Sequence, residues 1–208
     1  NAATEQTAAI DPLESRADIC QREGLSFHVD GAYGALAVLS SELRPLFAGM
    51  ERADSLAFDL HKWMYRPYEV GCALVRQEED HRRTFSLTPD YLTHSDRGLA
   101  GGSIWFSDYG VQLSRGFRAL KVWMSMKEHG AQKYGRLIQQ NIDQARYLAS
   151  QVENTSELQL LAPVPLNIVC FRFVADDLDN ESLNDLNKEL LIDLHESGVA
   201  APDRKSVV

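Results

Sequence analysis

The clearest early pattern along the chain is helical. Across residues 11–24, Leu13, Ala17 and Cys20 recur on one face. Asp11 and Pro12 suit the start of a helix and Gly24 its end, so the spacing predicts a helix there. Residues 25–30 then read as a short buried strand that stops at an acidic residue. Residues 55–59 (SLAFD) and 72–76 (CALVR) read as two more strands. Residues 85–108 show no clean period. Gly98, Gly101 and Gly102, with Thr, Ser and Asp around them, make this a long loop of the kind that forms lids and binding loops. Helical periodicity returns near Tyr109 and runs to about Val152, with a break at Gly130. Residues 166–174 (LNIVCFRFV) give the strongest buried-strand pattern. A helix over residues 182–196 follows, with Leu183, Leu186, Leu190 and Leu194 on one side and Gly198 as its terminator.

Helices alternating with short apolar strands predict an α/β chain whose later part is closer to α+β. Three parallel strands make a poor independent core, because a parallel sheet needs both faces covered. The first ten residues enter a helix with no strand before it to pair, and residues 203–208 close no element. The expectation is therefore a piece of a larger protein.

Composition narrows the function classes. The chain has 208 residues, 44% hydrophobic and 25% charged, with a formal net charge of −9. No basic stripe is present, which excludes the usual footprint of a nucleic-acid binder. The acidity also disfavours an anionic membrane surface, and no apolar run is long enough to span a bilayer. Cys20, Cys72 and Cys170 are far apart and lack C-x-x-C spacing. This argues against a disulfide framework or a metal site and fits a reducing cytoplasm.

Two residues stand out chemically. Asp30 ends a predicted strand and is followed by Gly31, Ala32, Tyr33 and Gly34. Ligands of α/β sheets bind at that strand edge. A buried carboxylate there needs a cationic partner, and a protonated pyridine nitrogen is one. The small residues after it would let a flat ring approach. The plain alternative is an Asp that caps the following turn. Lys62 follows His61 just after the second predicted strand, with Leu60, Trp63 and Met64 around it. Desolvation of an amine favours the neutral form that a Schiff-base lysine needs. The plain alternative is a lysine snorkelling over its aromatic neighbour. Asp and Lys together match the logic of pyridoxal phosphate sites, where an Asp partners the pyridinium and a Lys holds the aldehyde carbon.

The segments His28-Val29-Asp30-Gly31-Ala32-Tyr33-Gly34, Ala53-Asp54-Ser55, His61-Lys62-Trp63-Met64 and Ser114-Arg115-Gly116-Phe117-Arg118-Ala119-Leu120-Lys121 resemble the group II pyridoxal-phosphate-dependent decarboxylases. The likeness is to their aromatic-L-amino-acid and tyrosine decarboxylase branch, over about residues 10–198. It implies part of a type I aminotransferase-like large domain over residues 1–120 and a truncated small α+β domain over residues 121–208. It also implies a homodimer and an L-amino acid substrate, aromatic in this branch, converted to amine and carbon dioxide. By the same resemblance, Lys62 forms the Schiff base, Asp30 pairs with the pyridine nitrogen and Ala32 lies against the ring. His61, with Asp59 beside it, lies near the phosphate. Residues 85–108 correspond to a catalytic loop, and its Tyr91 to the tyrosine that returns a proton to the substrate carbon. That tyrosine favours decarboxylation over aldehyde formation.

Several features depart from the family pattern. Leu60 stands where the family has proline, which predicts a looser turn at Lys62. Residues 3–8 (ATEQTA) stand where the family reads like G-T-T-N-T-G, which alters the glycine turn and one threonine contact and places Glu5 near the cofactor phosphate or the substrate carboxylate. The family's ring-stacking histidine and main phosphate-binding residues would precede Asn1. Two rival expectations therefore remain: another type I enzyme, such as an aminotransferase or aldehyde synthase, or a segment that is inactive by itself.

Overall fold

The computed structural model of the chain describes residues 1–87, 95–98, 101–102 and 104–203. Helix α1 (Leu13–Glu23) forms where its spacing predicts. Leu13 and Ala17 are buried, and Gly24 closes it in the left-handed region, its N–H donating to Cys20 O. Asp11 does not cap it; its carboxylate lies 3.4 Å from Arg16.

Strand β1 (His28–Asp30) pairs in parallel with β2 (Ser55–Asp59), with Asp30 opposite Ala57. Strand β3 (Gly71–Val75) runs antiparallel to β2, with Asp59 opposite Gly71. The expected all-parallel arrangement is thus corrected to a mixed one. The connection between β2 and β3 falls short of the roughly dozen residues that a parallel crossover needs. Between β1 and β2 the chain descends through three short 3₁₀ turns, Ala35–Leu39, Arg44–Phe47 and Met50–Arg52. Helix α2 (Glu78–Phe85) buries none of its side chains, so it left no apolar period to find. Acidic residues in its first turn and arginines in its last complement the helix dipole.

Helix α3 (Arg118–Glu153) starts later than its periodicity suggests; Tyr109 lies in a separate 3₁₀ turn. Gly130 interrupts it at φ 70° and ψ 159°. Beyond that break Tyr134, Ile138, Ile142, Ala145, Ala149 and Val152 turn inward. Gly135 lets this helix reach the first 3₁₀ turn, since a Cβ there would stand 2.3 Å from Leu39 O.

The later part forms a two-stranded antiparallel ribbon, β4 (Leu158–Leu160) and β5 (Phe171–Phe173). Helix α4 (Asn180–Ser197) follows, capped by Asp179, which accepts from Ser182 N at 2.8 Å. The long strand expected over residues 166–174 shrinks to three residues. Leu166 drops into the main core while Phe171 is 40% exposed. One apolar run serves two different structures.

The main core joins Leu13, Phe27, Val29, Leu43, Phe47 and Trp63 to Ile138, Ile142 and Leu166. A second cluster holds Leu60, Met64, Val70 and Tyr134. Among the described residues, no helix is long and apolar enough to cross a membrane.

Candidate active site

Asp30 and Lys62 follow the carboxyl ends of the two strands that pair in parallel, which places them at one sheet edge. Asp30 is exposed rather than buried, and its Oδ1 accepts from Ala32 N at 3.0 Å. This is the turn-capping bond of the plain reading. A carboxylate has about four acceptor positions, so the cap leaves room for a further donor. Beside it opens a cavity of about 360 Å³, walled by Ala3, Thr4, Glu5, Ala32 and Tyr33 among others. Residues 2–3 press against the β1 turn. Ala2 N donates to Asp30 O at 2.7 Å, and a Cβ on Gly34 would stand 1.9 Å from Ala2 O. Only glycine fits there.

The loop bearing Lys62 is tightly held. Leu60 N donates to Val70 O at 2.9 Å, Tyr65 N to Lys62 O at 3.2 Å and Arg66 N to Leu60 O at 3.3 Å. Leu60, Trp63 and Met64 are all buried. The looser turn expected from Leu60 is therefore not observed. A proline has no N–H for Val70; this chain substitutes a hydrogen bond and a buried side chain for the ring.

The side chain of Lys62 is one-third exposed. Its Nζ lies 3.2 Å from Asp59 Oδ2 and 3.6 Å from Glu5 Oε1. Two carboxylates hold the amine, so it does not merely snorkel over Trp63. His61 lies with its Nδ1 3.1 Å from the backbone N of Val70 and its Nε2 3.8 Å from Asp59 Oδ2. When Nδ1 accepts from that N–H, the ring proton sits on Nε2, on the Asp59 side. The His61 ring also packs against Tyr68 at 4.5 Å.

Sequence reasoning gave Tyr33 no role. Its ring lies 5.3 Å from that of Trp63, and its hydroxyl donates to Asn167 Oδ1. Burial pushes the phenol up to about 12, against a smaller lowering by the Asn167 hydrogen bond. It ties the Asp30 turn to the later part of the chain. The available signal was Asn167 itself, a lone amide at the head of an apolar run. Tyr91 lies outside the described residues. Among those described, no group of His, Cys, Asp or Glu is arranged to hold a metal ion.

Residues 1–174 match the model of the pyridoxal-dependent decarboxylase conserved domain. The chain belongs to this decarboxylase family. It is 38% identical over 205 residues to the aromatic-L-amino-acid decarboxylase of Bacillus atrophaeus, covering 96% of this chain and 42% of that one. It is 28% identical to the phenylacetaldehyde synthase of Petunia hybrida, covering 94% and 40%. The solved structure of Oryza sativa TDC with PLP and tryptamine superposes with a TM-score of 0.89 at 28% identity, covering 99% of this chain and 43% of that one. The decarboxylase segment described here thus spans about two fifths of the length of these relatives. Its fold is that of the pyridoxal-phosphate-dependent decarboxylases, in part.

Pyridoxal phosphate is the cofactor of the family, and the residues present fit it. The cavity beside Asp30 lies within the usual range for small-molecule sites, about 300–1,000 Å³. The donor set is an acceptor carboxylate at one strand end and a primary amine past the next. Ala32 walls the cavity with Asp30, Gly31 faces Ala35 and Leu56 instead, and Lys62 meets the cavity wall through Glu5.

Proposed function

We propose that this chain contributes to the active site of an enzyme that decarboxylates an L-amino acid, aromatic in its side chain, to the amine and carbon dioxide. The observation that carries this is the placement of Asp30 at the carboxyl end of β1 and of Lys62 just past the carboxyl end of the parallel strand β2. Glu5 lines the Asp30 cavity and also touches the Lys62 amine.

When bound, pyridoxal phosphate supplies a pyridinium ring that takes up the electron pair left when the α-carboxylate departs. Lys62 would hold its aldehyde carbon covalently, and Asp30 would keep the ring nitrogen protonated. Ala32 would lie against the ring, and His61 with Asp59 near the phosphate. Asp59 also pairs with Lys62, so it orients the amine before the cofactor arrives. Tyr91 is the candidate proton donor at the substrate Cα, on the strength of its place in the sequence. The same reading makes the working enzyme a homodimer.

The test is Lys62→Ala in the full-length protein. It is expected to abolish both the long-wavelength Schiff-base absorbance and carbon dioxide release. Retention of either would overturn the assignment. A second reading draws on the phenylacetaldehyde synthase among the relatives. Amine with stoichiometric carbon dioxide supports the first; aldehyde with ammonia supports the second.

A further inference from the structure

Glu5 occupies an unusual place: the residue lines the Asp30 cavity, and its carboxylate lies 3.6 Å from Lys62 Nζ. Its side chain is 76% exposed, so packing does not dictate its identity. Its backbone is nevertheless fixed, because Thr4 N donates to Ala9 O and Ala8 N to Thr4 O, both at 3.0 Å. Asp59 flanks the same ammonium at 3.2 Å. The amine that must bond to the cofactor is thus held by two counter-charges, one of them on the cavity wall.

We propose that Glu5 is a positioning residue that restrains cofactor loading. It holds the Lys62 ammonium and must release it before the amine can react. This rests on the reading of Lys62 as the cofactor lysine. The step joins Nζ to the aldehyde carbon as a C=N bond, and two of the three ammonium protons leave with the aldehyde oxygen as water. Two effects of Glu5 oppose it. The nitrogen keeps one proton and its positive charge, so what is lost is its contact with Glu5, and an anionic phosphate is brought toward a wall that carries a negative charge. Both have the same sign, so removing the charge while keeping the shape eases loading.

The experiment strips the full-length protein of cofactor and adds pyridoxal phosphate while following the Schiff-base absorbance. Exposed pairs of this kind contribute modestly, so Glu5→Gln is expected to load and bind roughly two- to fivefold better than the parent. The difference should shrink as salt is raised, because the charges are solvent-accessible. Loading by E5Q that is equal or slower at low salt overturns the proposal, as does a gain that salt leaves unchanged. Lys62→Ala separates the two levels of inference. If its absorbance band persists, the reading of Lys62 fails and the role of Glu5 with it. If the band is lost while E5Q loads like the parent, only the role of Glu5 fails.

Discussion

The loop that carries Lys62 and the loop that carries Glu5 reach the same amine from different kinds of structure. Residues 60–70 are anchored in both core clusters, Trp63 in one and Leu60, Met64 and Val70 in the other. Lys62 follows a strand end and stands between buried neighbours. Residues 1–10 are anchored by backbone bonds, Ala2 on Asp30 and Thr4 with Ala9, and by the small side chains of Ala2, Ala3 and Ala8, which are buried in the main core. They also contain strain: Ala3 sits at φ 94° and Ala8 at φ 56°, where an L side chain is disfavoured. These are the two positions at which the family pattern has glycine. The Lys62 amine is placed by large packed side chains, whereas its partner carboxylate on Glu5 is placed by a hydrogen-bonded loop seated on small buried alanines, two of them in strained backbone. The first should be sensitive to lost volume, the second to backbone relief.

The largest expected effect lies on the packed side. Trp63→Ala removes a buried ring that contacts Tyr33, and should cost about 3–5 kcal/mol by denaturant unfolding of the full-length protein. A cost below about 1 kcal/mol would mean that packing does not place Lys62. Next is Tyr33→Phe, which removes the hydrogen bond to Asn167 and should cost about 0.5–1.5 kcal/mol near neutral pH. Tyr33 also has a signature in pH. Its phenol is raised from 10.0 to about 12 in the folded chain, so the folded state binds that proton more tightly than the unfolded state. The associated stability is fully present below about pH 10 and is lost as pH rises toward 12. Unfolding curves across this window should show a decline that is shallower in Tyr33→Phe; identical slopes would remove Tyr33 as the tie. The smallest effect is on the strained side. Ala3→Gly relieves about 1–2 kcal/mol of left-handed backbone cost and gives up a buried methyl worth about 0.8 kcal/mol. A small rise in melting temperature is expected, and a clear fall would show that Ala3 is not strained.

Legibility followed the range of the interactions involved. Helix α1, strand β2, the break at Gly130 and the end of α4 at Gly198 are set by local spacing and by glycine's access to positive φ, and all were readable. Helix α2 was not, because it buries nothing and so leaves no period. The apolar run at 166–174 was read as one strand because hydrophobicity alone does not say which core a residue will join. At the site, Asp30 and Lys62 were readable as residue types at strand ends. Their partners were less so: Asp59 on Lys62, Tyr33 on Asn167 and the loop from Leu60 to Val70.

The chemistry on offer is already written in the order of residues: a carboxylate at a strand end, an amine just past the next, small residues after the carboxylate, and a motif shared with the pyridoxal-dependent decarboxylases. Which charges face one another depends on the folded chain. Folding put Glu5 beside Lys62 across 56 intervening positions in the chain, and let Leu60 do by hydrogen bond what a proline would do by rigidity. The physical reason is that propensity and periodicity are summed over neighbours in sequence. Ion pairs and backbone hydrogen bonds between loops are fixed by how the core brings distant segments together.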